Sequence, residues 1–201
     1  MGKSQTRKTG LIIILFFIYS IGFSQNHAPV IQNQTEIDIE GHTFPYVIVG
    51  GKRWMSENLQ VTHYNDGTSA KFTIGPYGNY YDWYTVNTGK LCPTGWSIPT
   101  LTDWQNLAMA LGGVSVAGNK LKAKSALWDI PNTNHTDEVG FSALPMGYAY
   151  IYHGDNGNWW ASTQYPDDAN CAYTGRLYAM GVKLQLPFLM KSYEISVRCV
   201  K

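Results

Sequence analysis

One segment of this 201-residue chain carries a complete set of helix signals. Thr100 stands where its hydroxyl caps a first turn, Asp103 holds the capping-box position, and Trp104, Leu107, Ala108 and Leu111 recur at i, i+3, i+4 and i+7 until Gly112-Gly113 ends the pattern. A shorter helix is expected over 116–124, where Lys120, Lys122 and Lys124 alternate with Leu121 and Ala123 and read as a solvated face. Ile37 and Ile39 alternate with polar residues, Glu40-Gly41-His42 is a turn, and Tyr46–Val49 runs into Gly50-Gly51 and then Lys52-Arg53-Trp54-Met55, which predicts a three-strand meander. After Pro131, the apolar pieces at Phe141–Met146, Tyr148–Tyr152, Trp159–Ala161, Arg176–Leu186 and Glu194–Val200 read as strands of an antiparallel sheet. No self-similarity recurs at a period of roughly 20 to 50 residues, which disfavours solenoids and propellers. Strands, helices and strands again define a loop-rich α+β class with one main and one short helix.

Lys3, Arg7 and Lys8 precede an apolar run from Leu11 to Tyr19 that closes on Gly22-Phe23-Ser24, the pattern of a secretory leader cleaved after Ser24. The run is too short for the roughly 20 residues of a membrane-spanning helix. No cysteine precedes Cys92, so a lipid anchor near the cleavage site is not expected. The expected organisation is therefore a signal peptide over 1–24, a loose lead-in over 25–35, and one domain over 36–201. The expected destination is secreted, periplasmic or the outer cell surface, with no membrane span after the leader is removed. Charged residues are only 14%, net charge is +1, and aromatics are 14%, so no basic field attracts nucleic acid. Three cysteines, Cys92, Cys171 and Cys199, leave at least one unpaired within the chain.

Candidate chemistry is sparse. His27, His42, His63, His135 and His153 stand apart in sequence with no H-x-x-x-H or C-x-x-C spacing, so no protein metal site is expected. No G-x-S-x-G elbow is present. The oxygen-rich strings Asp155-Asn156-Gly157-Asn158 and Tyr165-Pro166-Asp167-Asp168 have donors suited to calcium, yet such strings more often serve as turns, and no cofactor is expected. Trp159-Trp160 suggests a sugar-stacking platform. On a strand, however, the two rings point to opposite faces, so the pair reads as structural, as do Trp54, Trp83, Trp96, Trp104 and Trp128.

Four strings occur in order: Cys92-Pro-Thr-Gly-Trp-Ser-Ile-Pro-Thr100 followed by Trp104, Gly140-Phe-Ser-Ala-Leu-Pro-Met-Gly147, Trp159-Trp-Ala-Ser-Thr163, and Ser196-Val-Arg-Cys-Val-Lys201. Together they resemble the Fibrobacter succinogenes major paralogous domain, abundant in exported proteins of Bacteroidetes and grouped with the C-type lectin-like fold. The resemblance covers about Asp38 to Lys201. It implies a Cys92–Cys199 disulfide, with Cys171 as the leftover thiol, either buried and inert or paired with another chain. The sugar-binding triplets of calcium-dependent lectins are missing. The thiol pair that formylglycine-generating enzymes of this fold require is also missing once Cys92 and Cys199 are bridged. In relatives of the fold, the segment between the Trp-Trp string and the last strand contacts ligands. Here that segment offers Tyr165, Asp167, Asp168, Asn170, Tyr173, Arg176, Tyr178, Gln185 and Tyr193. The chain departs from the family at Cys171 and in the unusually apolar Leu186-Pro-Phe-Leu-Met190, which, if exposed, favours a protein partner. The resemblance thus implies a non-enzymatic, adhesin-like binding module for an extracellular glycan or protein. The alternatives are a structural cell-envelope component or an enzyme on the same fold.

Overall fold

The computed structural model describes residues 34–129, 135–149 and 154–201. The expected leader, most of the lead-in, His27, His153 and residues 150–152 of one expected strand lie outside the described residues.

The meander forms as expected: β1 (Gln34–Ile37), β2 (Thr43–Val49) and β3 (Lys52–Met55) pair antiparallel in the order β1-β2-β3. Val49 pairs with Lys52 across Gly50 and Gly51, whose φ angles of 62° and 80° suit a two-residue hairpin turn that disfavours side chains. β1 begins at Gln34, inside the segment expected to be lead-in, and its apolar alternation points outward, leaving Ile37 exposed. The inward position belongs to Glu36, whose carboxylate accepts from Arg53 Nη1 and Trp96 Nε1, both at 2.7 Å. Burial alone would raise the pKa of Glu36, but the hydrogen bonds from Trp96, Lys201 and Arg53 prevail and lower it.

A single turn, α1 (Trp83–Val86), is capped by Asp82, which accepts from the Thr85 amide at 2.8 Å. The main helix α2 (Leu101–Ala110) has the expected capping box, and Trp104, Leu107, Ala108 and Leu111 are buried. The short helix α3 (Val114–Leu121) starts and ends earlier than the sequence suggests. Its lysines do not share one solvated face. Lys122 is wholly buried at the C-cap, and its Nζ donates to the carbonyls of Tyr178, Ala179 and Gly181 at 2.9, 3.2 and 2.6 Å. The helix ends there, so Lys122 takes an extended conformation that turns its side chain inward.

The second sheet comprises β4 (Asn156–Gln164), β5 (Cys171–Tyr178) and β6 (Phe188–Met190), antiparallel in that order. Three expected strands are corrected here. Residues 141–146 contribute one bridge, Lys122 to Ala143. The segment 176–186 is a hairpin in which Arg176 pairs with Gln185. The stretch 194–200 is held by isolated bridges to Tyr81, Trp159, Trp54 and Ser97. Pro145 in the first segment and Gly181 in the second break the ladders that apolar content alone suggested.

β4 and β5 divide two cores. Trp159, Ala161 and Leu177 pack with Trp54, Trp104 and Leu107. Trp160 and Ala172 pack with Tyr81, Trp83, Trp96 and the half-cystines. Gly175 permits the first packing, since a Cβ there would meet the Trp104 ring at 2.9 Å. Cys92 and Cys199 are bridged, tying the segment before α2 to the end of the chain across 107 residues. Every tryptophan is buried. The adjacent pair splits as the strand period requires, with Trp159 Nε1 donating to Asn58 Oδ1 and Trp160 Nε1 to the Tyr81 carbonyl, each at 2.8 Å. Among the described residues no helix is long and apolar enough to cross a membrane.

Candidate functional site

The chain leaving β3 runs through Ser56–Thr62 and then returns as a hairpin closed by Thr73 and Tyr80, which exchange two backbone hydrogen bonds of 2.9 Å. Between this hairpin, the 56–62 segment and Ser142-Ala143-Leu144 opens a cleft of about 830 Å³. Glycines shape its tip. A Cβ on Gly75 would lie 2.4 Å from the Gly78 carbonyl, and one on Gly78, at φ +114°, would lie 2.7 Å from Asn58 Cβ. The hairpin therefore lies directly on the cleft floor. Phe72, Ile74 and Tyr77 form one wall, with Ile74 81% and Tyr77 42% exposed. Glu57, Gln60 and Asn79 contribute polar groups. Asn79 donates to the Gln60 carbonyl at 2.7 Å. Tyr81, buried below, donates its hydroxyl to the Val61 carbonyl at 2.7 Å, and burial drives its pKa far upward.

Arg198 forms the floor. Its Nε donates to Asn58 Oδ1 at 3.0 Å, Nη2 to the Ser142 carbonyl at 3.0 Å, and Nη1 to the carbonyls of Met55 and Phe141. The guanidinium also lies 4.4 Å from the Phe141 ring centroid. Burial pulls its pKa down to about 9, while Asp137 and Glu57 oppose the shift from a distance, so it stays charged at neutral pH. Ser142 is held at φ 53° because Asp137, itself at φ 44°, accepts from both its amide and its hydroxyl at 2.8 Å. This left-handed pair aims the Ser142 carbonyl at Arg198, so the backbone strain serves the buried cation.

At the mouth, Glu40 joins two histidines that stand apart in sequence. Glu40 Oε1 accepts from the amides of Thr62 and His63 at 2.7 Å each, from Thr62 Oγ1 at 2.8 Å, and lies 3.0 Å from His63 Nδ1. His42 Nδ1 approaches its other oxygen at 3.8 Å. Burial alone would raise the pKa of Glu40, but these donors lower it. Thr62 Oγ1 is 2.9 Å from His63 Nδ1, yet both converge on the same carboxylate oxygen, an arrangement that fixes a turn. Among the described residues no group of three or more His, Cys, Asp or Glu could hold a metal ion.

The nine residues expected from the resemblance fall into separate places. Tyr165 and Tyr173 meet edge to face at 5.5 Å, and Tyr165 stacks on Phe188 at 3.9 Å. Arg176 and Tyr178 lie on the opposite face of β5, with Arg176 donating to Asn158 Oδ1, Tyr148 Oη and Tyr178 Oη at 2.6, 2.7 and 3.2 Å. Tyr193 packs on Tyr148 at 5.4 Å. Asp168 caps the turn by accepting from the Asn170 amide at 2.8 Å, Asp167 hydrogen-bonds Tyr165, and Gln185 pairs through its backbone with Arg176. Beneath this turn Lys191 Nζ donates to Gln164 Oε1 and the Ala169 carbonyl at 2.7 and 2.6 Å. The second oxygen-rich string is likewise occupied, since Asn156 donates to Asp155 and Asn158 donates to Asn156. Cys171 is buried beside Asp168 Oδ2 at 3.5 Å, and burial first, then the carboxylate, raises its pKa. In Leu186–Met190 the side chains divide, with Phe188 46% and Met190 50% exposed while Leu186 and Leu189 pack on the two cores.

The cleft-lining string Ile74-Gly-Pro-Tyr-Gly-Asn79 received no weight in the sequence reading. Its signal was the pair of glycines around Pro76-Tyr77, a turn pattern that places an aromatic side chain at a loop tip. A family model, the Fibrobacter succinogenes major domain, matches residues 47–201. Comparison with curated proteins and with solved structures returned no match.

Proposed function

Since this chain belongs to the Fibrobacter succinogenes major domain family, we propose that it is an exported, non-enzymatic binding module whose cleft receives an extracellular glycan or protein segment. The observation that carries the reading is the cleft itself. It has about 830 Å³ of open volume with an apolar wall facing polar groups, the size and mixed lining of a ligand pocket. The titratable groups around it support binding over catalysis. Glu40, His63 and Asp137 are committed to holding turns, and Arg198 is committed to carbonyls. Export is supported by the leader pattern at residues 1–24 and by the Cys92–Cys199 bridge, a bond that persists in oxidising compartments. The lectin-like architecture implied by the resemblance belongs to the same proposal.

The test is a glycan array and a cell-surface binding assay on the disulfide-intact protein, each run with and without chelator. Saturable binding that survives chelator is expected. A protein that binds neither the array nor cells overturns the reading and leaves a structural envelope role.

A further inference from the structure

Resting on that reading, we infer that the cleft takes a neutral, hydroxyl-rich ligand, a saccharide ring seated on Tyr77 and hydrogen-bonded by Glu57 and Gln60. Charge balance comes first. Three ionised side chains line the cleft, Arg198, Glu40 and Glu57. Glu40 has spent one oxygen on two amides, a hydroxyl and a histidine. Arg198 has turned its guanidinium to four oxygen partners below the surface. Neither presents a free charge to a ligand. Glu57 is exposed at the cleft and lies in no ion pair among the described residues, so its carboxylate faces the opening as an acceptor. With the Arg198 cation buried close by, an anionic ligand would meet Glu57 first and be repelled. A cationic one would gain only the single exposed carboxylate of Glu57, a contact worth little in water.

The shape of the lining makes the second argument. A pyranose or furanose has one face of C–H groups and a rim of hydroxyls, so it requires an exposed flat apolar surface beside acceptors and donors. Tyr77 and Ile74 supply the first, held at the tip of a hairpin that two glycines press onto the floor. Glu57 and Gln60 supply the second from the facing segment, which the Leu59 amide anchors to the Val197 carbonyl at 2.8 Å. Wall and rim therefore sit on separately fixed backbone, a preorganised arrangement. The aromatic groups of the 165–193 segment lack such a partner. Tyr165 is stacked on Phe188, and the hydroxyls of Tyr178 and the neighbouring Tyr148 accept from Arg176.

The experiment is an amide NMR titration of the ¹⁵N-labelled, disulfide-intact protein with cellotetraose, maltotetraose, mannotetraose and xylotetraose. A heparin tetrasaccharide and a lysine-rich peptide serve as charged probes. At least one neutral tetrasaccharide should shift the amides of Gln60, Gly75, Tyr77 and Gly78 saturably. Tyr77→Ala should weaken that binding by about tenfold or more, the loss of one stacking surface. Glu57→Gln, which keeps an acceptor but removes its charge, should weaken it by about threefold to tenfold. Both side chains are exposed, so unchanged melting temperatures separate lost contact from lost fold. Three results would overturn the inference while leaving a binding module intact: neutral sugars that shift amides elsewhere, a charged probe that occupies the cleft instead, or silence from all four sugars in a protein that still binds cells. Silence on cells as well would remove the broader reading too.

Discussion

The cleft beside the 72–79 hairpin and the 165–193 segment share a composition of Tyr, Asn, Gly and acidic residues, yet their polar groups are used differently. Around the second, polar groups answer one another: Arg176 to Tyr148, Tyr178 and Asn158, Asp168 to its own turn, and Lys191 to Gln164 and Ala169. In the first, the internal bonds lie at the mouth around Glu40 and under the floor around Arg198, while Glu57 and Tyr77 face open volume. The contrast teaches that residue type alone does not tell a self-satisfied surface from one with unused groups. What matters is whether donors, acceptors and ring faces have already been used.

Two arginines make the largest test of that contrast. Arg198→Met should cost about 3 to 5 kcal/mol in denaturant unfolding, because Asn58 Oδ1 and the Ser142 and Phe141 carbonyls lose a buried donor. Arg176→Met, removing a half-buried group from neutral partners, should cost about 1 kcal/mol. Equal losses would erase the distinction between floor and surface. Next in size, Gly78→Ala should destabilise by about 1 to 3 kcal/mol, since it meets both a left-handed φ and the backbone at 3.0 Å. Gly181→Ala, whose Cβ would make ordinary contact at 3.6 Å, should stay within about 0.5 kcal/mol.

Lys122 sharpens the comparison through pH, because it ties the turn that follows β5. Burial pulls its ammonium down to about 8 from an ordinary 10.5. Between those values the unfolded chain binds more protons than the folded one, so this group makes stability rise with pH, by at most about 1.4 kcal/mol per unit. Lys122→Met should remove that rise when unfolding is measured from pH 8 to 9, before Arg198, pulled down by burial to about 9, and Tyr80, at an ordinary 10.0 in the unfolded chain, begin to contribute. A rise that persists in the variant would assign it to another group. The smallest contrast is between two tyrosines: Tyr165→Ala should cost about 1 kcal/mol through its lost stack on Phe188. Tyr77→Ala, with no ring partner within the chain among the described contacts, should leave stability unchanged within about 0.5 kcal/mol. Thermal melts of the two variants side by side check this pair.

Local code was read correctly wherever a short stretch settles its own energy. Thr100 and Asp103 close a capping box, the α2 stripe is buried, Gly50-Gly51 turn the β2–β3 hairpin, and Trp159 and Trp160 part to opposite faces because a strand alternates. The Cys92–Cys199 bridge followed from family resemblance and forms as that resemblance implied.

What the sequence alone could not decide were the long-range choices. Lys122 was assigned to solvent because its neighbours are lysines, but its environment is set by three carbonyls more than fifty residues away. The histidines at 42 and 63 were read as solitary until the chain wrapped both around Glu40. The cleft exists only because the 72–79 hairpin packs against Asn58, while the buried Arg198 arrives from the far end of the chain. Helix caps, turns and strand alternation are fixed within a few residues, so the amino-acid order determined them. Which polar groups satisfy one another and which stay free for a ligand depends on contacts between distant segments, and only the tertiary structure decides that.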